Sequence, residues 1–317
     1  MSGARGRSFR LAASIALALL LVLFARHADW RAAMAAARGA DPRLLAVAFL
    51  CNQLSLVLKG TRWWVFLRPL GVRSLSLVLR ATYAGASLNN LVVAQGGEAA
   101  RVVLVSRGSG VAASRVASAL ALERVLDGVS YLVLLTSAAF LLDLPGAIAR
   151  WRIPAALALL LSLIALVVLG AKSKSAPTEP AQVTTVGARV RMSIRRFVSS
   201  ISETASPARL ATALLLSLCA WALQVATYHT IARATHLPLS LAGSVAAMLA
   251  VGLSFLFRAT PGNVGVFQAI YAVTVVPFGV SRPAAVATAL LIQGVQIVPT
   301  VLAGTVAAHR LAAGRAS

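Results

Sequence analysis

Repeated apolar runs, each long enough to cross a bilayer, constrain the fold of this chain more than any other feature. A membrane-spanning helix needs about 20 mainly apolar residues to cross a hydrocarbon core of about 30 Å. Of the 317 residues, 59% are hydrophobic and 12% are charged, and the mean hydropathy is +0.84. Soluble domains average about 45–50% apolar and about 25% charged residues. The sequence therefore predicts an all-α, polytopic integral membrane protein.

About eight apolar segments qualify as membrane spans, and one or two further helices are expected to be broken or re-entrant. The spans are predicted at about 10–25, 44–58, 117–142, 153–170, 210–232, 239–257, 263–280 and 284–308. Asp41 and Pro42 are typical of an N-cap and first helical turn, and they open the second span. Because no loop is long enough for an independent core, residues 1–317 are predicted to form a single membrane domain.

The chain is strongly basic, with a formal net charge of +22 from 30 Lys+Arg and 8 Asp+Glu. The cations lie between apolar runs, mainly in 59–73 and in the loop 171–209. The positive-inside rule places both segments in the cytoplasm, beside anionic headgroups, so we expect no nucleic-acid partner. Eight spans then place both termini in the cytoplasm, and Trp63 and Trp64 are predicted to anchor the membrane interface. The Arg- and Ala-rich composition indicates a bacterial protein, and hence the inner membrane.

Metal and nucleotide chemistry have no support in the sequence. Two cysteines and four histidines are scattered without ligand spacing, and no Gly-rich GKS/T loop is present. We therefore expect no metal, no cofactor and no catalytic residue in this chain.

Acidic residues occur inside the apolar stretch LALERVLDGVSYLVLL. Glu123 and Asp127 are four residues apart and share one face of a helix, where burial of a carboxylate is costly. Arg124 is expected to point elsewhere, which leaves Arg101 and Arg258 as the predicted partners. Two interpretations stay open, a polar lining of a lipid cavity and an ion-pair network that holds helices together.

The stretch AQGGEAARVV predicts the first helix interruption. Gly96 and Gly97 should break the chain, and Glu98 should then lie in the first turn of a new helix, where the helix dipole favours an acid. Arg101 is one turn further and is placed to pair with Glu98. Free N–H groups at such a helix start can also bind phosphate.

The stretch RATPGNVGVFQ predicts the second interruption. Pro261, Gly262 and Gly265 should break the helix, and Gln268 should lie in the helix that follows. Paired interruptions of this kind point to a substrate site in transporters, although an ordinary tight turn would give the same pattern.

In this order, the motifs resemble the lysylphosphatidylglycerol synthase transmembrane-region family, also called flippase-like domain proteins. The matching pieces, within about residues 44–308, are KGTRWWVFLRPLGV, NNLVVAQGGEAARVVLVSR, ERVLDGVSYLVLL and RATPGNVGVFQAIYAVTVVPFGVSRPAAVATALL. The family includes the membrane half of a synthetase that moves an aminoacylated lipid between leaflets, so the resemblance implies lipid movement. Together with the local patterns, it implies a substrate site formed by Gly97, Glu98, Arg101, Glu123, Arg124, Asp127, Arg258, Pro261, Gly262, Gly265 and Gln268.

Several positions depart from the pattern of that family. Ala94 and Gln95 stand where a proline often precedes the glycines. Asn263 stands where a second glycine is usual, Gln268 where an acid is common, and Gln293 where an arginine is frequent. Loss of an acid and a base together would preserve their pairing as a neutral hydrogen bond. Gln293 and Gln296, three residues apart on the last span, are predicted to bond to neighbouring helices.

The favoured hypothesis is a flippase-like protein that moves a phospholipid or glycolipid between leaflets through a polar intramembrane cavity. One alternative is a membrane-embedded lipid-donor transferase. Another is a non-transporting scaffold for a separate lipid-modifying enzyme. The identity of the lipid, the direction of movement and the oligomeric state are left open by the sequence.

Overall fold

The structure is a computed structural model that describes residues 31, 34–35, 38–91, 96–142, 150, 153–154, 156–158, 160–161, 206–255 and 261–313. Within these ranges every regular element is helical, which confirms the predicted all-α class. The helices are α1 (Pro42–Leu67), α2 (Leu75–Leu91), α3 (Gly96–Ser109), α4 (Ala113–Leu141), α5 (Pro207–Ala234), α6 (Leu241–Ser254), α7 (Val266–Val275) and α8 (Arg282–Ala313).

Among the described residues, four helical segments are long and apolar enough to cross a membrane, namely Pro42–Leu70, Ala113–Leu141, Pro207–Ala234 and Arg282–Leu311. At 1.5 Å per residue each extends over about 42 Å, which exceeds a hydrocarbon core of about 30 Å. They correspond to the predicted spans at 44–58, 117–142, 210–232 and 284–308. The predicted start of α1 is also confirmed, since Asp41 Oδ1 accepts a hydrogen bond of 2.8 Å from the Arg43 backbone N–H.

Two predicted spans, 239–257 and 263–280, are shorter helices in the structure. α6 has 14 residues and α7 has 10, which correspond to about 21 Å and about 15 Å. A 3-10 turn at Pro261–Asn263 precedes α7, and another at Val276–Phe278 follows it. The apolar composition was correctly identified, but neither α-helix alone is long enough to cross the bilayer.

The predicted helix start at the first interruption is confirmed, since α3 begins at Gly96 and Glu98 lies in its first turn. Gly96 and Gly97 are the first residues of this helix; α2 ends at Leu91, and residues 92–95 lie outside the described residues. The predicted span at 10–25, most of that at 153–170 and residues 171–205 of the basic loop lie outside the described residues.

The chain divides into two compact units. We call the first the broken-helix unit; its described residues fall within 31–52, 86–97 and 224–302. We call the second the ion-cluster unit; its described residues fall within 53–85, 98–223 and 303–313.

The ion-cluster unit has a buried apolar core. Trp63 and Phe66 of α1 are fully buried there with Val105 of α3 and Leu122 of α4. The prediction that Trp63 anchors the membrane interface is therefore wrong. α1 continues past Lys59 to Leu67, because the proline of this region, Pro69, comes later and the single glycine at position 60 does not end the helix.

Candidate functional site

Six charged side chains of the ion-cluster unit form a connected group, which we call the ion cluster. Its members are Arg62, Glu98, Arg101, Glu123, Arg124 and Asp127. With three arginines and three carboxylates, the group is formally neutral.

Arg62 joins the two acids of α4. One guanidinium nitrogen, Nη2, donates to Glu123 Oε1 at 2.9 Å, and the other, Nη1, donates to Asp127 Oδ1 at 2.7 Å. Nη1 also donates to Ser217 Oγ at 2.7 Å. The Arg62 side chain is only 1% exposed, so the two neighbouring carboxylates are compensated by a cation that is itself out of solvent. One guanidinium on two carboxylates removes the repulsion that their four-residue spacing creates.

Arg101 completes the pairing of Glu123. Its Nη2 donates to Glu123 Oε2 at 2.9 Å, so each carboxylate oxygen of Glu123 accepts from a different arginine. The Arg101 guanidinium also lies 4.2 Å from the centre of the Trp63 ring, where the ring quadrupole attracts a cation. The predicted pairing of Glu123 with Arg101 is confirmed, and Arg258 lies outside the described residues.

The remaining members form a partly exposed rim of the ion cluster. Arg124 is 46% exposed and pairs with Glu98 at 2.7 Å and with Asp127 at 3.3 Å. The side chains of Glu98 and Asp127 are 29% and 22% exposed. Two predictions are therefore wrong. Arg124 does meet Asp127, because a three-residue spacing also brings helical side chains together, and Glu98 pairs with Arg124 whereas Arg101 turns to Glu123.

Arg62 was missed as a site residue because sequence analysis assigned it to a basic loop. One feature of the sequence could have placed Arg62 at the site. No proline separates it from the apolar run before it, and a single glycine such as Gly60 weakens a helix without ending it, so a continued helix would carry Arg62 next to Trp63. An arginine on such a helix needs a carboxylate partner, and the chain has only two acids within a long apolar span.

The second predicted interruption is a tight turn that requires glycine. Gly262 has φ +59°, and a Cβ built there would lie 3.0 Å from Ile297 Cδ1 and 3.4 Å from the Asn90 carbonyl oxygen. Gly265 has φ +86°. Both backbones adopt a conformation that residues with a Cβ rarely tolerate. Pro261 begins the 3-10 turn that leads into this loop.

Two glutamines close this turn with a continuous set of hydrogen bonds. The Gly265 N–H donates to Gln268 Oε1 at 2.7 Å, and Gln268 Nε2 donates to Gln293 Oε1 at 2.6 Å. Gln293 Nε2 then donates to the Gly262 carbonyl at 2.6 Å. Both side chains are buried. The prediction that a neutral pair connects positions 268 and 293 is confirmed, and the pair ties α7 to α8.

The end of α2 lies beside this turn within the broken-helix unit. The Asn90 carbonyl approaches Gly262, as described above, and Asn89 Oδ1 accepts from the Gly97 N–H at 2.9 Å. The last turn of α2 is thus bonded to the first turn of α3, and its Asn90 also approaches the turn at Gly262.

Further amides connect the helices of the broken-helix unit. Gln296 Nε2 donates to Gln224 Oε1 at 3.1 Å, and Gln224 Nε2 donates to Asn52 Oδ1 at 3.3 Å. This ladder joins α8, α5 and α1, which confirms the predicted interhelical bonding of Gln293 and Gln296.

The predicted site residues thus form two groups. Glu98, Arg101, Glu123, Arg124 and Asp127 meet in the ion-cluster unit. Gly97, Pro261, Gly262, Gly265 and Gln268 belong to the broken-helix unit. Over the described part of the chain, no three His, Cys, Asp or Glu side chains are grouped to hold a metal ion.

Comparison with known families gives one match. The family model described as lysylphosphatidylglycerol synthase TM region matches residues 11–304, somewhat more of the chain than the motifs alone cover. No curated protein matches the chain.

Proposed function

The chain belongs to the lysylphosphatidylglycerol synthase transmembrane-region family, and from this membership and the ion cluster we propose that it moves a polar lipid between the leaflets of a membrane. The substrate is a phospholipid or glycolipid, whose headgroup passes the ion cluster while its tails remain in lipid. The observation that carries the proposal is the division of the ion cluster into a buried half and a partly exposed rim.

The buried half supplies a fixed frame. Arg62, Arg101 and Glu123 are all buried, and both oxygens of Glu123 are engaged. Charged side chains at membrane depth are costly and are usually found where a polar substrate or another charge meets them. In this proposal the frame positions the rim and does not itself exchange partners.

The rim supplies the groups that exchange. Arg124 divides its donors between two carboxylates, and its contact with Asp127, at 3.3 Å, is the longest of the described ion pairs in the cluster. A headgroup that approaches Arg124 can replace Asp127 as acceptor, while Asp127 keeps its bond to Arg62. The headgroup thereby replaces its hydrogen bonds to water with hydrogen bonds to the protein, which lowers the free-energy barrier to crossing the apolar core.

We further propose that the protein lies in the inner membrane of a bacterium with both termini in the cytoplasm. Arg68 and Arg73 are exposed just after α1, and the loop 171–209 is rich in Lys and Arg. The positive-inside rule favours the cytoplasmic side for both segments.

The test is lipid translocation by the purified chain in vesicles that contain fluorescent lipid analogues, read with a quencher that reaches only the outer leaflet. We expect the quencher to reach nearly all of the label when the protein is present, and only the outer-leaflet label in protein-free vesicles. Unchanged quenching across anionic, zwitterionic and glycolipid analogues, with folded protein, would contradict the proposal and favour the scaffold or the transferase.

A further inference from the structure

The buried polar atoms of the ion-cluster unit show an excess of hydrogen-bond donors. Among its described residues, six buried side-chain atoms have no hydrogen-bond partner: Gln53 Nε2, Arg62 Nε, Trp63 Nε1, Arg101 Nε, Thr136 Oγ1 and Trp221 Nε1. Five of them are N–H groups that can only donate, and the sixth is a hydroxyl. Buried donors without acceptors are rare in proteins, and each needs an explanation.

Three of these donors belong to the ion cluster and its immediate surroundings. Arg62 and Trp63 are consecutive, and the Arg101 guanidinium lies 4.2 Å from the Trp63 ring centre. All three side chains are more than nine-tenths buried.

The carboxylate oxygens beside the buried donors are already engaged. Glu123 gives one oxygen to Arg62 and the other to Arg101. Asp127 gives one oxygen to Arg62 and the other to Arg124. None of these four oxygens is left over for the unpartnered N–H groups, so a ligand that satisfies those groups must bring its own acceptors.

The broken-helix unit differs in this respect. Its unpartnered buried atoms, among the described residues, are the amide oxygen of Asn263 and the hydroxyl of Tyr271. One of these accepts and the other both donates and accepts. Within the described part of the chain, the excess of donors is therefore found in the ion-cluster unit.

A phosphate group is the ligand that best satisfies these unpartnered arginine and indole N–H donors. A phosphodiester carries negative charge and several acceptor oxygens, and guanidinium groups bind it through paired N–H bonds. An amine headgroup would add donors where buried donors are already in excess. A sugar headgroup supplies hydroxyl groups without charge.

We propose that the ion cluster is a phosphate site that takes the phosphodiester of an anionic phospholipid. Arg124, the most exposed arginine of the cluster, makes the first contact, and the N–H groups of Arg62, Trp63 and Arg101 supply the buried donors. This assignment rests on the proposed function, because it names the headgroup that the rim would accept during translocation.

The first test is direct binding to the full-length chain in detergent. Thermal unfolding is measured with a short-chain phosphatidylglycerol, a phosphate-free short-chain glycolipid, or inorganic phosphate. We expect the phosphatidylglycerol to bind at least about tenfold more tightly than the glycolipid, the ratio that one lost hydrogen bond to a charged group produces. Arg124→Gln should abolish this preference, whereas Arg107→Gln, at an exposed position in the last turn of α3, should retain it.

Each outcome decides one part of the assignment. Equal binding of the two lipids, or a preference that survives Arg124→Gln, would overturn the phosphate site. If inorganic phosphate binds as tightly as phosphatidylglycerol, the site recognises free phosphate and the lipid assignment is wrong.

Translocation in vesicles separates this inference from the proposed function. Equal rates for both lipids would overturn the inference alone, and phosphate-selective binding without any translocation would overturn the proposed function alone.

Discussion

Replacing Arg62 with methionine should lower the free energy of unfolding by about 3–5 kcal/mol, the usual cost of removing one partner from a buried ion pair. Arg62 compensates two carboxylates at once, at 2.9 Å from Glu123 and 2.7 Å from Asp127. Without it, Asp127 keeps only its longer contact with Arg124. The measurement is chemical unfolding of the purified protein in detergent, with Arg107→Met as the exposed control.

A second substitution distinguishes lost charge balance from lost packing. Arg62→Met leaves three carboxylates with two arginines, whereas Arg62→Met with Asp127→Asn leaves two of each, in the pairs Arg101–Glu123 and Arg124–Glu98. We expect the double variant to recover part of the lost stability. An Arg62→Met protein that unfolds at the wild-type denaturant concentration would contradict the described role of this arginine.

The second large effect is expected at the turn that precedes α7. Gln268→Glu should destabilise the protein by about 3 kcal/mol, because it introduces an uncompensated carboxylate at a buried position in a membrane protein. The new carboxylate can still accept from the Gly265 N–H, but its other oxygen faces Gln293 Oε1, which also accepts. Unfolding in detergent measures the loss.

The matched test of this turn is a double-variant cycle. Gln293→Arg alone should also destabilise, whereas Gln268→Glu together with Gln293→Arg should restore most of the stability. In the double variant the arginine can donate both to the glutamate and to the Gly262 carbonyl. Strong non-additivity of this kind identifies a direct contact. Losses that simply add would show that residues 268 and 293 do not form the connected pair.

Local features of the candidate site were predictable from the sequence, because the residues that determine them are close together in the chain. The helix that starts at Gly96 with Glu98 in its first turn follows from a glycine pair and one acid. The turn at Gly262 and Gly265 follows from the same kind of pattern. The shared face of Glu123 and Asp127 follows from helical periodicity alone.

The partners of those residues were harder to predict, because they depend on how helices pack. Arg62 is separated from Glu123 by 61 positions, and no local pattern relates the two. Arg124 was judged by its neighbours on α4, but its closest partner, Glu98, is on α3. The pairing of Gln268 with Gln293 was predictable because the resemblance to a known family linked the two positions.

The lengths of α6 and α7 show a different limit. Their apolar composition continues through 239–257 and 263–280, so hydropathy alone predicts two full spans. The turn between them depends on backbone conformation at Gly262, Asn263 and Gly265, each with positive φ. Hydropathy does not report that conformation, and it overestimated both helices.

In the proposed function, the exposed rim of the ion cluster lies in the path of the lipid headgroup. The most direct test compares the translocation rates of Arg124→Gln and Arg107→Gln in vesicles, at equal amounts of folded protein. Arg124 is partly exposed, so its loss should leave the fold intact but reduce translocation to the rate of protein-free vesicles, whereas Arg107→Gln should match the wild type. Wild-type translocation by a folded Arg124→Gln protein would contradict the claim.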